Sequence, residues 1–401
     1  MIIKDKKQSI QIKNPKILYV DAYNEYLNPT EKHYLTVIKN LGATFYGPGF
    51  STKNELELGL RKFIELNGGF DIIITTLFSY EDNLFLDSKK TFISYIKNRY
   101  SFHTYEEFCL IKNIRDAIFE IKDIKIIYRF GFDYYNVENS FLEKLEKNNI
   151  YIITTGKQFI KQIENKSLLS EKFAQNLNNN FYDFVHRYDS NIISFYHIIG
   201  EDEFKYNNIE NRKYDFSVQG ILYDNRKKIL KQIKKYNYTL PVRWHNTFYS
   251  LLSRAGFPIY SNYIFMNLYQ LLFKYNIFQS KLSFTDGSQA DVFVRKFLEI
   301  PASRTVLVSK PTEWFEAIGF KDKINFISIK KTSDVLDILN YWLKNTQDLQ
   351  TIADNGQKLI YENHSVGART IQLKNSFQKI VDNEYFGSYW EDGIFNVVNK
   401  S

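Results

Sequence analysis

The chain has 401 residues, 44% of them hydrophobic and 24% charged, which is more than one ordinary domain needs, suits two with full cores, and excludes disorder. Lysine and arginine outnumber aspartate and glutamate 53 to 45, a net charge of +8. That surplus suits anionic partners, but the basic residues spread along helix faces and form no nucleic-acid arm, so no nucleic acid is expected. The single cysteine, Cys109, excludes an internal disulfide and a cysteine-built zinc cage and fits a reducing, cytoplasmic compartment. Charges run through the opening segment MIIKDKKQSIQIKNPKILYV, which therefore does not read as a signal peptide. No run reaches the ~18 apolar residues of a membrane span, so the expectation is a soluble protein, with membrane association peripheral at most.

KILYVDAY (16–23) is an apolar run bounded by polar residues and reads as a buried parallel strand. Tyr34, Val37, Ile38 and Leu41 then follow helical spacing up to Gly42, a ready C′ residue. ATFYG (43–47), a helix over 54–66, and DIIITT (71–76) continue the alternation, with IKIIYRF (124–130) and IYIITTG (150–156) as further strands. The stretch 77–123, rich in Tyr and Phe, exceeds a normal crossover and is expected to add helices at the strand ends, where such sheets bind ligands.

The alternation restarts at YDFSVQG (214–220), followed by a helix with Asp224 as N-cap and Ile229, Leu230 and Ile233 on one face. YTLPVRW (238–244), KLSF (281–284), TVLVS (305–309) and NFISI (325–329) are its strands, and helices fall near 264–275, 292–300, 333–344, 347–360 and 365–381. The fold class expected is α/β: two tandem Rossmann-like, doubly wound parallel sheets facing a cleft. The units run over 1–190 and 214–375, with a hinge at 191–213 and a last helix over 376–401 crossing back to the first unit.

Three segments carry a family resemblance. FYHIIGEDEFKYNNIENRKYDFSVQGILYDNRKKIL (195–230), DVFVRKFLEIPASRTVLVSK (291–310) and YWLKNTQDLQTIADNGQKLIYENHSVGARTIQL (341–373) resemble, in order and spacing, the hinge, the R-x-F-E element and the closing H-[ST]-x-x-x-R signature of bacterial CgeB-like, group 1 glycosyltransferases. The resemblance covers about 195–380; over 1–190 it rests on strand order and the turn YGPGF (46–50). It implies the GT-B fold, a nucleotide-sugar donor bound by the second half, and a glycan, lipid-linked or protein acceptor bound by the first. The family's Cys-Gly is replaced by Ser303-Arg304. Arginine lacks glycine's backbone freedom, so the turn there is expected to differ.

Transfer from a nucleotide sugar requires a stabilised diphosphate, a held ribose and a placed acceptor oxygen. Gly220 ends a strand and Arg226 begins a helix, the pattern by which a metal-independent site holds phosphate. Asp291 and Glu299, with seven residues between, match the E-x7-E spacing of retaining GT-B enzymes. By that resemblance Asp291 lies near the donor sugar and Glu299 binds the ribose hydroxyls; Asp291 is equally a helix N-cap by position. Arg295, one turn before Glu299, reaches either Glu299 or the diphosphate. Asp133 and His103 are the general-base candidates if the enzyme inverts, with Tyr105 and Gly47–Gly49 also on the acceptor side. His197 and His245 lie near strand ends, and His364 with Arg369 reads as structural. No D-x-D follows a strand and no metal-spaced cluster occurs, so neither a metal nor another cofactor is expected. The absence of G-x-G-x-x-G and G-x-S-x-G argues against a dehydrogenase and a hydrolase. A sugar-nucleotide epimerase of the same fold and a non-catalytic binding module are the alternatives.

Overall fold

The computed structural model describes residues 14–23, 29–77, 105–130, 137–162, 179–195, 197–220, 224–238, 263–287 and 293–400. The first unit is a six-stranded parallel sheet in the order β2-β1-β3-β4-β5-β6. Its strands are Ile17–Val20 (β1), Thr44–Tyr46 (β2), Ile72–Thr75 (β3), Lys125–Arg129 (β4), Tyr151–Thr154 (β5) and Ile192–Ser194 (β6). Side chains alternate across it. Leu18, Val20, Ile73, Ile126 and Ile152 enter the core on one face, while Ile17, Tyr19, Ile72, Ile74, Ile127 and Ile153 enter the core on the other. A strand covered on both faces must be apolar at every position, which is why these segments are unbroken β-branched and aromatic runs.

The second unit is a four-stranded parallel sheet, β10-β9-β8-β7, of Tyr214–Val218 (β7), Ser280–Phe284 (β8), Val306–Ser309 (β9) and Ile327–Ser328 (β10). It too is packed on both sides: Ile229, Ile233, Leu339 and Ile352 belong to one core, and Phe297, Leu298, Trp314 and Ile360 to the other. Two tandem parallel α/β units thus stand as expected from the alternation. Among the described residues no helix is long and apolar enough to cross a membrane.

Several boundaries differ from the sequence reading. β6 lies inside the segment taken as hinge and completes the first sheet. The helix over 54–66 is two, Lys53–Leu58 and Leu60–Leu66, broken where Gly59 turns to a φ of +79°. The insert yields the helix Tyr105–Glu120, and 239–244 of the expected strand lie outside the described residues, with Tyr238 bridging Phe216. The largest correction is at the end. The helix Val366–Val381 ends where the 365–381 helix is expected to end, but in place of a last helix over 376–401, residues 385–399 form an antiparallel hairpin, Tyr385–Glu391 (β11) with Ile394–Asn399 (β12). Its two-residue turn, Asp392-Gly393, has φ values of 50° and 85°, the left-handed pair that matches strand twist.

This tail fastens the two units together. Leu373, Phe377 and Ile380 of the helix Val366–Val381 enter the first unit's core beside Val37 and Ile38 of the helix Pro29–Asn40. The hairpin covers the open edge of β6 with side chains. The Ser194 amide donates to Ser388 Oγ at 2.8 Å, Trp390 Nε1 donates to the Ser194 carbonyl at 2.9 Å, and the Tyr385 hydroxyl donates to the Ile192 carbonyl at 2.7 Å. An edge strand so capped offers no free backbone for mispairing. Trp390 also belongs to the second unit's core. Its ring stacks on His364 with centroids 5.1 Å apart, and the fully buried Arg369 guanidinium lies 4.7 Å from the Trp390 ring and 4.8 Å from the Phe195 ring. Arg369 Nη2 is 2.8 Å from His364 Nδ1. Burial, with Arg369 beside it, holds the His364 pKa well below its usual value, so the ring is neutral and accepts from the arginine.

At the C-terminal end of β1, buried Asp21 accepts from the Tyr19 hydroxyl at 2.6 Å, the Thr76 hydroxyl, and the Ala22 amide at 2.8 Å. Two predictions follow from these packings. Trp390→Ala should cost about 3–5 kcal/mol and Trp390→Phe about 1–3 kcal/mol for the lost Nε1 bond, both read by urea unfolding; equal stability of all three proteins would mean that the hairpin does not clamp the units. Burial raises the Asp21 pKa from 3.8 to about 6. A raised acid contributes stability below its unfolded value that is lost as pH rises through the folded one. The stability of Asp21→Asn relative to wild type should therefore increase between pH 4 and pH 7, by up to about 3 kcal/mol. A difference constant over that window would count against an ionising, buried Asp21.

Candidate active site

Gln219 and Gly220 directly follow β7, and the helix Asp224–Gln232 comes next. Gly220 has a φ of +94°, and a Cβ there would stand 2.4 Å from Arg226 Nη1 and 3.0 Å from Lys296 Cε. Glycine is required twice over: for its left-handed backbone, and because two cationic side chains close over the space a side chain would fill. Arg226 is 2% exposed. It donates to the Asp286 carbonyl at 2.9 Å and the Thr285 hydroxyl at 3.3 Å, just beyond β8, and pairs with the Asp286 carboxylate at 2.6 Å.

Lys296 opens the helix Lys296–Ala302. Among the described residues its ammonium makes no hydrogen bond or ion pair, and burial, reinforced by Arg226, pushes its pKa down. A desolvated cation beside a second cation, at a glycine turn between a parallel strand and a helix, is a site that an anion would stabilise.

Glu299, one turn further along that helix, is largely buried, and burial raises its pKa. Arg295 Nη1 donates to it, while Nη2 of the same guanidinium donates to Glu203 and, at 3.1 Å, to the Ile198 carbonyl. Glu203 belongs to the linker between the units and sits 3.3 Å from His33 Nε2 on the helix Pro29–Asn40. The i,i+4 pair expected for Arg295 and Glu299 is therefore present, but buried and tied to the first unit.

Across the junction, Arg129 at the end of β4 donates to both oxygens of Glu31 and lies 4.2 Å over the Tyr34 ring. His197, in the linker, stacks on Phe293 with centroids 6.0 Å apart. Burial, then Arg295, Arg369 and Arg129, lower its pKa to about 3, so it stands neutral. The glycine-rich turn is in place as well: the Tyr23 amide donates to the Pro48 carbonyl at 2.8 Å, and a Cβ on Gly47 would meet the Asp21 carbonyl at 1.9 Å.

Of the residues singled out in the sequence, Gly220 and Arg226 come together, and Lys296 feels both Arg226 and Glu299. Asp291, Asp133, His103 and His245 lie outside the described residues, as does the side chain of Tyr105. Sequence reasoning missed Lys296, Asp286, Glu203 and His33. Lys296 lies between two residues already chosen, and Asp286 sits in the turn directly after KLSF, the position its neighbour Gly220 occupies after β7. Nothing local marks Glu203 or His33.

At Ser303-Arg304 the second residue adopts a φ of +58°, so the chain forms a left-handed turn with an arginine in it. Arg212 holds the turn by donating to the Ser303 and Arg304 carbonyls at 2.9 and 2.8 Å, and Arg304 pairs with Asp354 and donates to Asn208 Oδ1 at 3.0 Å. These contacts offset the roughly 1–2 kcal/mol that a non-glycine residue loses there.

No family model matches the chain, and no curated protein matches its sequence. Solved structures do. A glycosyltransferase from Rickettsia africae is 11% identical, with 92% of this chain and 100% of that one covered at a TM-score of 0.50. HepE from Anabaena, solved with UDP and glucose, is 11% identical over 91% of this chain and all of its own at 0.48. Sucrose-phosphate synthase from Thermosynechococcus elongatus is 8% identical over 92% of this chain and all of its own at 0.48. At such identities the likeness is one of fold, and the fold is GT-B: two Rossmann-like α/β units in tandem.

Proposed function

We propose that this chain is a glycosyltransferase that moves a sugar from a nucleotide-sugar donor to a glycan, lipid-linked or protein acceptor, with no metal ion. The observation that carries the reading is the convergence of Arg226 and Lys296 on the Gly220 turn, with Glu299 on the same helix as Lys296. As the bond to the anomeric carbon breaks, negative charge grows on the diphosphate. Two fixed cations in a site of low polarity stabilise that charge more than they stabilise the bound donor. Glu299, an acceptor of paired hydrogen bonds, suits the vicinal hydroxyls of a ribose. The glycosyltransferase fold of the Rickettsia protein supports the same reading at the level of architecture.

A retaining outcome rests on the Asp291–Glu299 spacing, with Asp291 beside the donor sugar. The acceptor would enter from the first unit, near Asp133 and His103 by sequence position. A cytoplasmic site of action, with peripheral contact to a membrane where the acceptor is lipid-linked, is consistent with this chemistry.

Lys296 is the cleaner probe, because removing Arg226 leaves the Asp286 carboxylate buried and unpaired, a loss of about 3–5 kcal/mol in stability by itself. A nucleotide sugar at 100 times its Kd should stabilise the wild type by about 2.7 kcal/mol. Lys296→Ala should weaken donor binding about 10- to 100-fold while its ligand-free melting temperature stays at or above that of wild type. Lys296→Ala binding the donor as tightly as wild type would place the diphosphate elsewhere. Turnover should also persist in excess EDTA; loss of activity restored by Mg²⁺ or Mn²⁺ would show that a metal supplies the charge assigned to these side chains.

A further inference from the structure

Arg295 is shared by two carboxylates that belong to different parts of the molecule. Nη1 holds Glu299 on its own helix, and Nη2 holds Glu203 in the linker. We propose that Glu203 is a positioning residue that acts on Glu299 through this shared guanidinium, so that the linker and the helix Pro29–Asn40 set the orientation and charge of the donor-site carboxylate. The proposal builds on the assignment of Glu299 to the donor site.

Glu203 is itself firmly placed. It is 5% exposed. Its Oε2 accepts from the Gly200 amide at 3.1 Å and lies 3.3 Å from His33 Nε2, and its Oε1 lies 3.4 Å from Lys274 Nζ. Gly200 packs closely on the same histidine, since a Cβ there would stand 2.0 Å from His33 Cε1. The groups facing the pair are Arg295 and Lys296 on the helix Lys296–Ala302, Lys274 on the helix Tyr263–Phe278, Asp202 in the linker, and His33 on the helix Pro29–Asn40.

One guanidinium cannot fully neutralise two buried acids. Burial would raise both carboxyls, but Arg295 and His33 hold Glu203 well below the usual range, whereas Glu299 stays above it, with the Glu203 charge adding to its burial. Two acids driven apart in this way divide their roles: Glu203 keeps its charge and Glu299 becomes the one that titrates. Removing the charge at position 203 gives Arg295 wholly to Glu299 and takes away a like charge, so Glu299 should ionise more easily.

The test is a carboxyl-carbon NMR titration of ligand-free protein carrying labelled glutamate, with the Glu299 signal assigned by its loss in Glu299→Gln. In Glu203→Gln the Glu299 midpoint should fall by about one pH unit or more, and Glu203→Asp, which keeps the charge, should bring it back toward wild type. An unchanged midpoint in folded Glu203→Gln overturns the proposal. If that variant does not fold, Arg295→Lys decides: an ammonium cannot span both carboxylates, so the Glu299 midpoint should rise, and an unmoved midpoint overturns the proposal equally. The pH profile of affinity for a nucleotide sugar is read on the same proteins. Its acid limb should move to lower pH in Glu203→Gln. A shifted NMR midpoint in a protein that binds no nucleotide sugar would leave the Glu203–Arg295–Glu299 coupling standing and remove the donor assignment instead.

Discussion

A guanidinium group cannot discard its proton inside a protein, so every buried arginine must be surrounded by acceptors before the chain around it can pack. That constraint organises the seam of this molecule. Arg129, Arg226 and Arg369 are 9%, 2% and 0% exposed, and the Arg295 side chain is 10% exposed. Each is answered by named neighbours: Glu31 for Arg129 within the first unit, Asp286 for Arg226 within the second, Glu203 of the linker for Arg295, and His364 with the rings of Phe195 and Trp390 for Arg369. Losing one acceptor would strand a charge, and at Arg295 and Arg369 the groups so tied come from the linker and the tail.

The tail makes the same argument in apolar form. A chain that ended after β10 would leave part of one face of the first sheet, beside the helix Pro29–Asn40, and the edge of β6 exposed. The helix Val366–Val381 covers that part of the face and the hairpin covers the edge, and Trp390 reaches from that edge into the core of the second unit. The linker is pinned to this tail by backbone bonds, Ile199 amide to His364 carbonyl at 3.0 Å and Val366 amide to Ile199 carbonyl at 3.1 Å. Linker, tail and the helix Lys296–Ala302 therefore form one connected structure, and the position of Arg295 within it is a property of the whole junction rather than of that short helix.

Much of this was legible in the residues. Strands buried on both faces are unbroken runs such as IIIT and YIIT, and no local alternative competes with them. Gly220 and Arg226 could be picked out because they lie where a strand passes into a helix. What sequence could not supply were partners set by tertiary contact: Glu203 and His33 lie 170 positions apart and meet only once the linker is folded against the helix Pro29–Asn40. The hairpin was a different kind of miss. Asp392-Gly393 between YFGSYWE and IFNVVN is a strong hairpin signal, passed over because the family resemblance suggested a last helix there. At Arg304 the neighbours decide the backbone. Left-handed backbone is unfavourable for arginine, yet Arg212, Asp354 and Asn208 together hold it there.

The two cations near Gly220 differ in a way that bears on what the site is for. Arg226 is paired with Asp286 and so is stable without a ligand. Lys296 is not paired among the described residues, and its depressed pKa records the cost of holding charge there. An aliphatic side chain of similar volume at that position would avoid the desolvation cost. An anion over the Gly220 turn would offset the repulsion between the ammonium and the guanidinium, and that is the physical content of the diphosphate site proposed there.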